Sequence, residues 1–152
     1  MYYKYMFNKT SETPEDNKAR TDITGRDSII VLVDAFYERI RSDESLGPIF
    51  NNKIGSEWNS HLETMYNFWD SVLFRAGTFR GNPPLKHQWV HQATPLSPAL
   101  FDRWLTLFKE TLDANFEGPK ALFAWRAAQD IASVLQRKLK LEHPKETIRF
   151  TS

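Results

Sequence analysis

Two histidines that could bind a metal lie four residues apart in the stretch "NPPLKHQWVH" at residues 82–91. They are His87 and His91, two of the four histidines in the chain. Imidazole is a common metal ligand, and a histidine pair at i and i+4 on a continuous helix can bind zinc. No third or fourth ligand is evident nearby, and Thr94 followed by Pro95 disfavours a helix that continues past His91. The pair alone does not decide between a metal site and two exposed histidines.

Three side chains with a polar tip fall on otherwise apolar helical faces. They are Tyr37 beside Phe36, His61 one turn before Met65, and Trp104. Buried tyrosine and tryptophan usually serve packing and find a backbone acceptor. The combination of a helical pattern, 14% aromatic residues and a histidine on each of a short and a long predicted helix suits a planar apolar cofactor with an iron. One imidazole would bind the iron, apolar walls would hold the ring, and donors would face the open coordination position.

Composition excludes several classes of protein. The net charge of +1 is too small to attract nucleic acid or an anionic membrane by electrostatics. The longest apolar run, 29–33, is too short to span a bilayer. The absence of cysteine excludes disulfides, thiolate-bound zinc, iron–sulfur clusters and covalent haem attachment. No phosphate-binding, nucleophilic-serine or H-E-x-x-H motif occurs. Because no signal peptide is recognisable either, the expected location is the cytoplasm.

The spacing of apolar residues predicts an all-α protein. Four segments repeat apolar residues on one helical face, and no alternating strand pattern occurs. Serine or asparagine followed by proline marks where some of these helices begin. The predicted ranges are 27–41, 56–75, 97–116 and 119–141, with a further short helix that begins after Asn82 and Pro83.

Breaks in the helical pattern define the expected domain organisation. Gly47 and Pro48 in "SLGPIFNN" predict a corner, since this dipeptide interrupts helices. Residues 1–25 are polar and mixed in charge, which predicts a flexible extension. Residues 26–141 form the single predicted domain, and residues 142–152 form a polar tail.

Three stretches of the sequence carry a family resemblance. They are "FYERIRSDESLGPIFNNKIGSEWNSHLETMYNFW" (36–69), "GNPPLKH" (81–87) and "FDRWLTLFKETLD" (101–113). In this order and at this spacing they resemble the truncated haemoglobins, specifically the third group. The resemblance covers about 25–141 and implies a two-over-two helical sandwich (truncated globin-like) that encloses non-covalent haem b. The connection from His87 to Trp104 is longer than the family pattern, which leaves its path open.

The resemblance implies roles for individual residues. His87 matches the proximal iron ligand, and the neighbouring Lys86 could pair with a haem propionate or remain solvated. Tyr37, His61 and Trp104 match the distal residues; His61 could contact the ligand, gate the pocket, coordinate ferric iron or lie at the haem rim. The residues that match the remainder of the haem pocket are Phe36, Phe50, Met65, Phe68 and Trp69.

The distal donors suggest what such a protein would do. Iron-bound O2 carries partial negative charge, so the Tyr37 O–H and Trp104 N–H would stabilise it and slow its release. Slow release favours tight binding of O2, NO or CO, or NO dioxygenase and peroxidase-like chemistry, over oxygen transport. Turnover would need a separate reductase, because the sequence holds no flavin or nicotinamide domain. The alternative is a haem-free helical interaction protein with a globin-like core.

Overall fold

Residues 19–74 and 97–142, which the computed structural model describes, form five helices. The long helices begin and end within two residues of their predicted bounds, which confirms the all-α prediction. The predicted short helix with Lys86 and His87 lies outside the described residues, as do residues 1–18 and 143–152. The helices are α1 (Arg26–Ser42), α2 (Leu46–Ile54), α3 (Trp58–Phe74), α4 (Pro98–Asn115) and α5 (Pro119–Glu142).

The long helices pack as two pairs. Helix α1 lies against α3 and α4 lies against α5, while α1 also contacts α4 and α3 contacts α5. Each helix turns its apolar stripe inward, so that residues such as Ile29, Leu32, Phe108 and Ala128 are almost fully buried in one core. This is the predicted two-over-two sandwich. Among the described residues, no helix has the length and apolar character needed to cross a membrane.

Helix α2 corrects the prediction of a corner at Gly47 and Pro48. Pro48 is the third residue of the helix, where its missing N–H is not needed because first-turn amides have no intrahelical acceptor. Gly47 is required for space: a Cβ atom there would lie 2.7 Å from the backbone oxygen of Arg41. The Asp43 carboxylate accepts hydrogen bonds from the Ser45 and Leu46 amides, both at 3.0 Å, and so caps the helix.

Asp43 also joins α2 to α4 through Arg103. The guanidinium of Arg103 donates to the Asp43 carboxylate at 2.8 Å from Nε and 2.7 Å from Nη2, while the Asp43 side chain is only 5% exposed. Burial alone would raise the pKa of Asp43, but the hydrogen bonds from Arg103, Leu46 and Ser45 outweigh it and lower the pKa below its usual value. The ionised carboxylate therefore stabilises the folded protein.

Asp43→Ala is expected to lower the free energy of unfolding at pH 7 by about 0.5–2 kcal/mol through loss of the cap. The pKa of Asp43 is lower in the folded protein than in the unfolded chain, where it is about 3.9. The stabilisation is therefore fully present above the unfolded-state pKa and is lost as the pH falls through the folded-state pKa. Urea unfolding at pH 7 and in steps below pH 4 measures the difference. Asp113→Ala removes an exposed partner of Lys109 and serves as the control. A difference that is constant across the pH range would contradict the assignment.

The segment before α1 belongs to the packed structure. Ile23 is 2% exposed, and the Thr21 carbonyl accepts the Glu117 amide at 3.0 Å. Asp22 accepts the amides of Lys120 and Ala121, both at 2.9 Å, and so caps the start of α5 from a distant part of the chain. The packed domain therefore begins before residue 26, inside the segment predicted to be a flexible extension.

Candidate functional site

Tyr37 and His61 come together where α1 packs on α3. Their ring centroids are 5.0 Å apart and their planes are nearly perpendicular, at 87°. Tyr37 is 4% exposed, and the Nε2 atom of His61 is also shielded from solvent. Phe50, on α2, lies 6.4 Å from the Tyr37 ring. Residues from three consecutive helices thus form one side of a common cluster.

Phe36 connects this cluster to Trp104 on α4. The Phe36 ring lies 5.0 Å from Tyr37 and 5.5 Å from Trp104, with an interplanar angle of 86° to the indole. The indole Nε1 of Trp104 is shielded from solvent. Tyr37 is the chain neighbour of Phe36 on α1, whereas Trp104 reaches Phe36 from α4, and both carry a polar hydrogen inside an apolar region.

Phe108 and Trp69 extend the aromatic wall. Phe108 stacks on Trp69 at 5.2 Å and on Trp104 at 6.1 Å, and it meets Phe36 edge-on at 5.1 Å. Phe68 contacts Trp69 at 5.3 Å, and Met65 is buried in the same core cluster. All candidate site residues within the described ranges are therefore in this connected region; Lys86 and His87 lie outside those ranges.

The polar tips of the cluster are hydrogen-bond donors at physiological pH. Burial raises the pKa of the Tyr37 phenol far above its ordinary value, so the hydroxyl keeps its proton. The indole of Trp104 has a donor only and does not titrate in this range. In an apolar environment, both groups interact strongly with a ligand that carries partial negative charge.

A groove with a volume of about 550 Å³ opens between α1 and α3 beside the cluster. Its lining includes Tyr37 and Trp58, and also Tyr66, whose hydroxyl donates to the Asp34 carboxylate. Burial and this hydrogen bond raise the pKa of Tyr66 to about 12. The contact ties α3 to α1 at an exposed position beside the groove.

Trp58 and Phe108 are two members of the cluster that the sequence did not indicate as site residues. Trp58 lies 5.7 Å from both Tyr37 and His61. Each has a periodicity signal: Trp58 precedes His61 by three residues, and Phe108 follows Trp104 by four, so each shares a helical face with a candidate. Periodicity alone cannot distinguish a site residue from a residue that only packs in the hydrophobic core.

The wall and its donors fit a flat apolar group that carries a small polar ligand. The Phe and Trp rings supply the apolar contact surface, and the Tyr37 hydroxyl and the Trp104 N–H supply buried donors. Two pairs of helices around such a wall define a globin fold.

Comparisons with known proteins agree with this class. The model of the family described as bacterial-like globin matches residues 21–132. The chain is 38% identical over 117 residues to the group 3 truncated hemoglobin ctb of Campylobacter jejuni. The aligned residues cover 75% of this chain and 90% of that protein. The crystal structure of the group III truncated hemoglobin from Campylobacter jejuni superposes with a TM-score of 0.71 at 35% identity, covering 80% of this chain and 95% of that one.

The chain belongs to the bacterial-like globin family, and within it to the group III truncated haemoglobins. Haem binding and oxygen binding follow from membership of this family. Membership also supports haem-based binding of diatomic gases.

Proposed function

We propose that this chain binds haem b non-covalently, with His87 as the iron ligand, and retains diatomic gases under Tyr37, His61 and Trp104. When bound, the haem supplies an iron with an open coordination position for O2, NO or CO. We propose that Lys86 pairs with a haem propionate. The residues proposed to hold the ring are Phe36, Phe50, Met65, Phe68 and Trp69.

The observation that carries the proposal is the pair of buried donor residues, Tyr37 and Trp104, whose rings both contact Phe36. The Tyr37 hydroxyl and the Trp104 N–H come from different helices, and the rings of both residues contact the Phe36 ring within 5.5 Å. Each would donate to a ligand that carries partial negative charge, and neither needs to rearrange its protons to do so. Two such donors would slow the departure of O2.

Tyr37→Phe is expected to raise the O2 dissociation rate by about tenfold, because one hydrogen bond contributes about 1–1.5 kcal/mol. Stopped-flow displacement of O2 by CO measures this rate. Tyr66→Phe makes the same chemical change at a hydroxyl that bonds Asp34, and it should leave the rate unchanged. If Tyr37→Phe dissociates O2 as slowly as the wild type, Tyr37 does not donate to the ligand.

Slow release suits chemistry on a retained ligand better than delivery of oxygen. We infer NO dioxygenation or peroxide reduction, with electrons from a separate reductase and with the cytoplasm as the expected location. Mixing the O2-saturated ferrous protein with NO in a stopped-flow instrument should give nitrate and ferric protein rapidly. A steady-state assay with peroxide and an electron donor tests the second reaction. If neither exceeds the rate with free haem, ligand storage or sensing becomes the better proposal.

A further inference from the structure

Trp58 contacts the half-buried His61 and also lines the groove between α1 and α3. The Trp58 ring meets His61 at 5.7 Å with an interplanar angle of 90°, and it meets Tyr37 at 5.7 Å and 64°. Since Tyr37 and His61 also pack edge to face, at 5.0 Å, each of the three rings contacts the other two. Edge-to-face contacts have a preferred geometry, so the indole restricts the orientation of the imidazole.

Arg41 covers the Trp58 ring on the side of the α1/α3 groove. The guanidinium carbon lies 4.4 Å from the ring centroid, a short cation–π contact. Asn51 holds Arg41 in place: Arg41 Nε donates to Asn51 Oδ1 at 3.3 Å, and Asn51 Nδ2 donates to the Arg41 carbonyl at 3.2 Å. An exposed cation is thus connected, through one indole, to the half-buried imidazole of His61.

We propose that Trp58 and Arg41 form a latch that holds the His61 imidazole against Tyr37 and thereby controls how fast diatomic ligands enter the pocket. The inference rests on the proposed function, in which His61 faces the ligand. Trp58 is a positioning residue, because it acts through His61. Loss of one edge-to-face contact shifts the equilibrium between held and displaced imidazole by about two- to twelvefold.

The groove gives the latch room to open. Arg41 and Trp58 both line its volume of about 550 Å³, so the guanidinium can leave the indole without a clash in the core. Arg41 is exposed, whereas Trp58 is 7% exposed. Arg41→Gln therefore weakens the latch without creating a core cavity, while Trp58→Leu removes the ring that contacts His61.

A double-mutant cycle on the haem-loaded ferrous protein tests the latch. The CO association rate is measured by flash photolysis for Trp58→Leu and Arg41→Gln, each with His61 present and with His61→Leu. We expect Trp58→Leu to raise the rate several-fold when His61 is present and to have no further effect with His61→Leu. Arg41→Gln should give a smaller increase, and Trp58→Phe should restore part of the slow entry. Arg126→Gln, an exposed charge change on α5, should have no effect.

Histidine NMR gives a readout that does not depend on haem. In ¹⁵N-histidine-labelled protein, the His61 imidazole resonance, assigned by its loss in His61→Leu, should carry a ring-current shift that decreases in Trp58→Leu. An unchanged resonance in Trp58→Leu would overturn the latch, as would an equal rise in CO association with and without His61. A chain that takes up no haem would refute the proposed function, and the NMR result would still decide whether Trp58 positions His61.

Discussion

His87→Gly is expected to lose the Soret absorption of bound haem, whereas His91→Ala is expected to keep it. A haem without cysteine attachment is held by its axial imidazole and by apolar contacts, so removal of the imidazole removes the one directed bond to the iron. The measurement is Soret absorbance per protein after gel filtration. Free imidazole should restore the band in His87→Gly, because it can occupy the space left by the side chain and bind the iron there.

His91→Ala is the matched control for this prediction. It changes the same residue type four positions further along the chain, so non-specific loss of a histidine affects both variants equally. Circular dichroism checks that each variant stays helical. A Soret band that survives in His87→Gly without added imidazole, and disappears in His91→Ala, would assign the iron to His91 instead.

Helix boundaries could be predicted because short-range chemistry determines them. Ser97 accepts the Leu100 amide at 3.3 Å and is followed by Pro98, so the start of α4 is encoded within four residues. Helix α2 could not be predicted in this way. Its cap is also local, since Asp43 accepts the Leu46 amide three residues on, but Gly47 and Pro48 in its first turn are typical of a helix break. The contact that holds Asp43 comes from Arg103, sixty residues away, and has no local pattern.

The candidate site was predictable only in part, for a related reason. The resemblance indicated Tyr37, His61 and Trp104, and the structure places Tyr37 and His61 in contact with each other and joins Trp104 to Tyr37 through Phe36. The resemblance gave no role to Trp58 or Phe108, although both lie on apolar helical faces. Which rings touch depends on where the helices cross, and the period of one helix carries no information about its crossing with another.

Phe108→Ala is expected to lower the free energy of unfolding by about 3–5 kcal/mol. The Phe108 ring is 1% exposed and contacts Phe36 at 5.1 Å, Trp69 at 5.2 Å and Trp104 at 6.1 Å. Its removal leaves a cavity where α1, α3 and α4 meet, and partners on three helices cannot all move to fill it. Urea unfolding followed by circular dichroism measures the loss.

Phe123→Ala deletes the same ring at a site that is 50% exposed on α5, and we expect a loss within about 0.5 kcal/mol. Phe108→Leu keeps most of the volume and should recover part of the stability without restoring the stacked ring. Because that ring also fixes the Trp104 indole, Phe108→Leu should release O2 faster than the wild type while remaining folded. If Phe108→Leu regains stability and O2 dissociates at the wild-type rate, then Phe108 fills space and does not orient the donor.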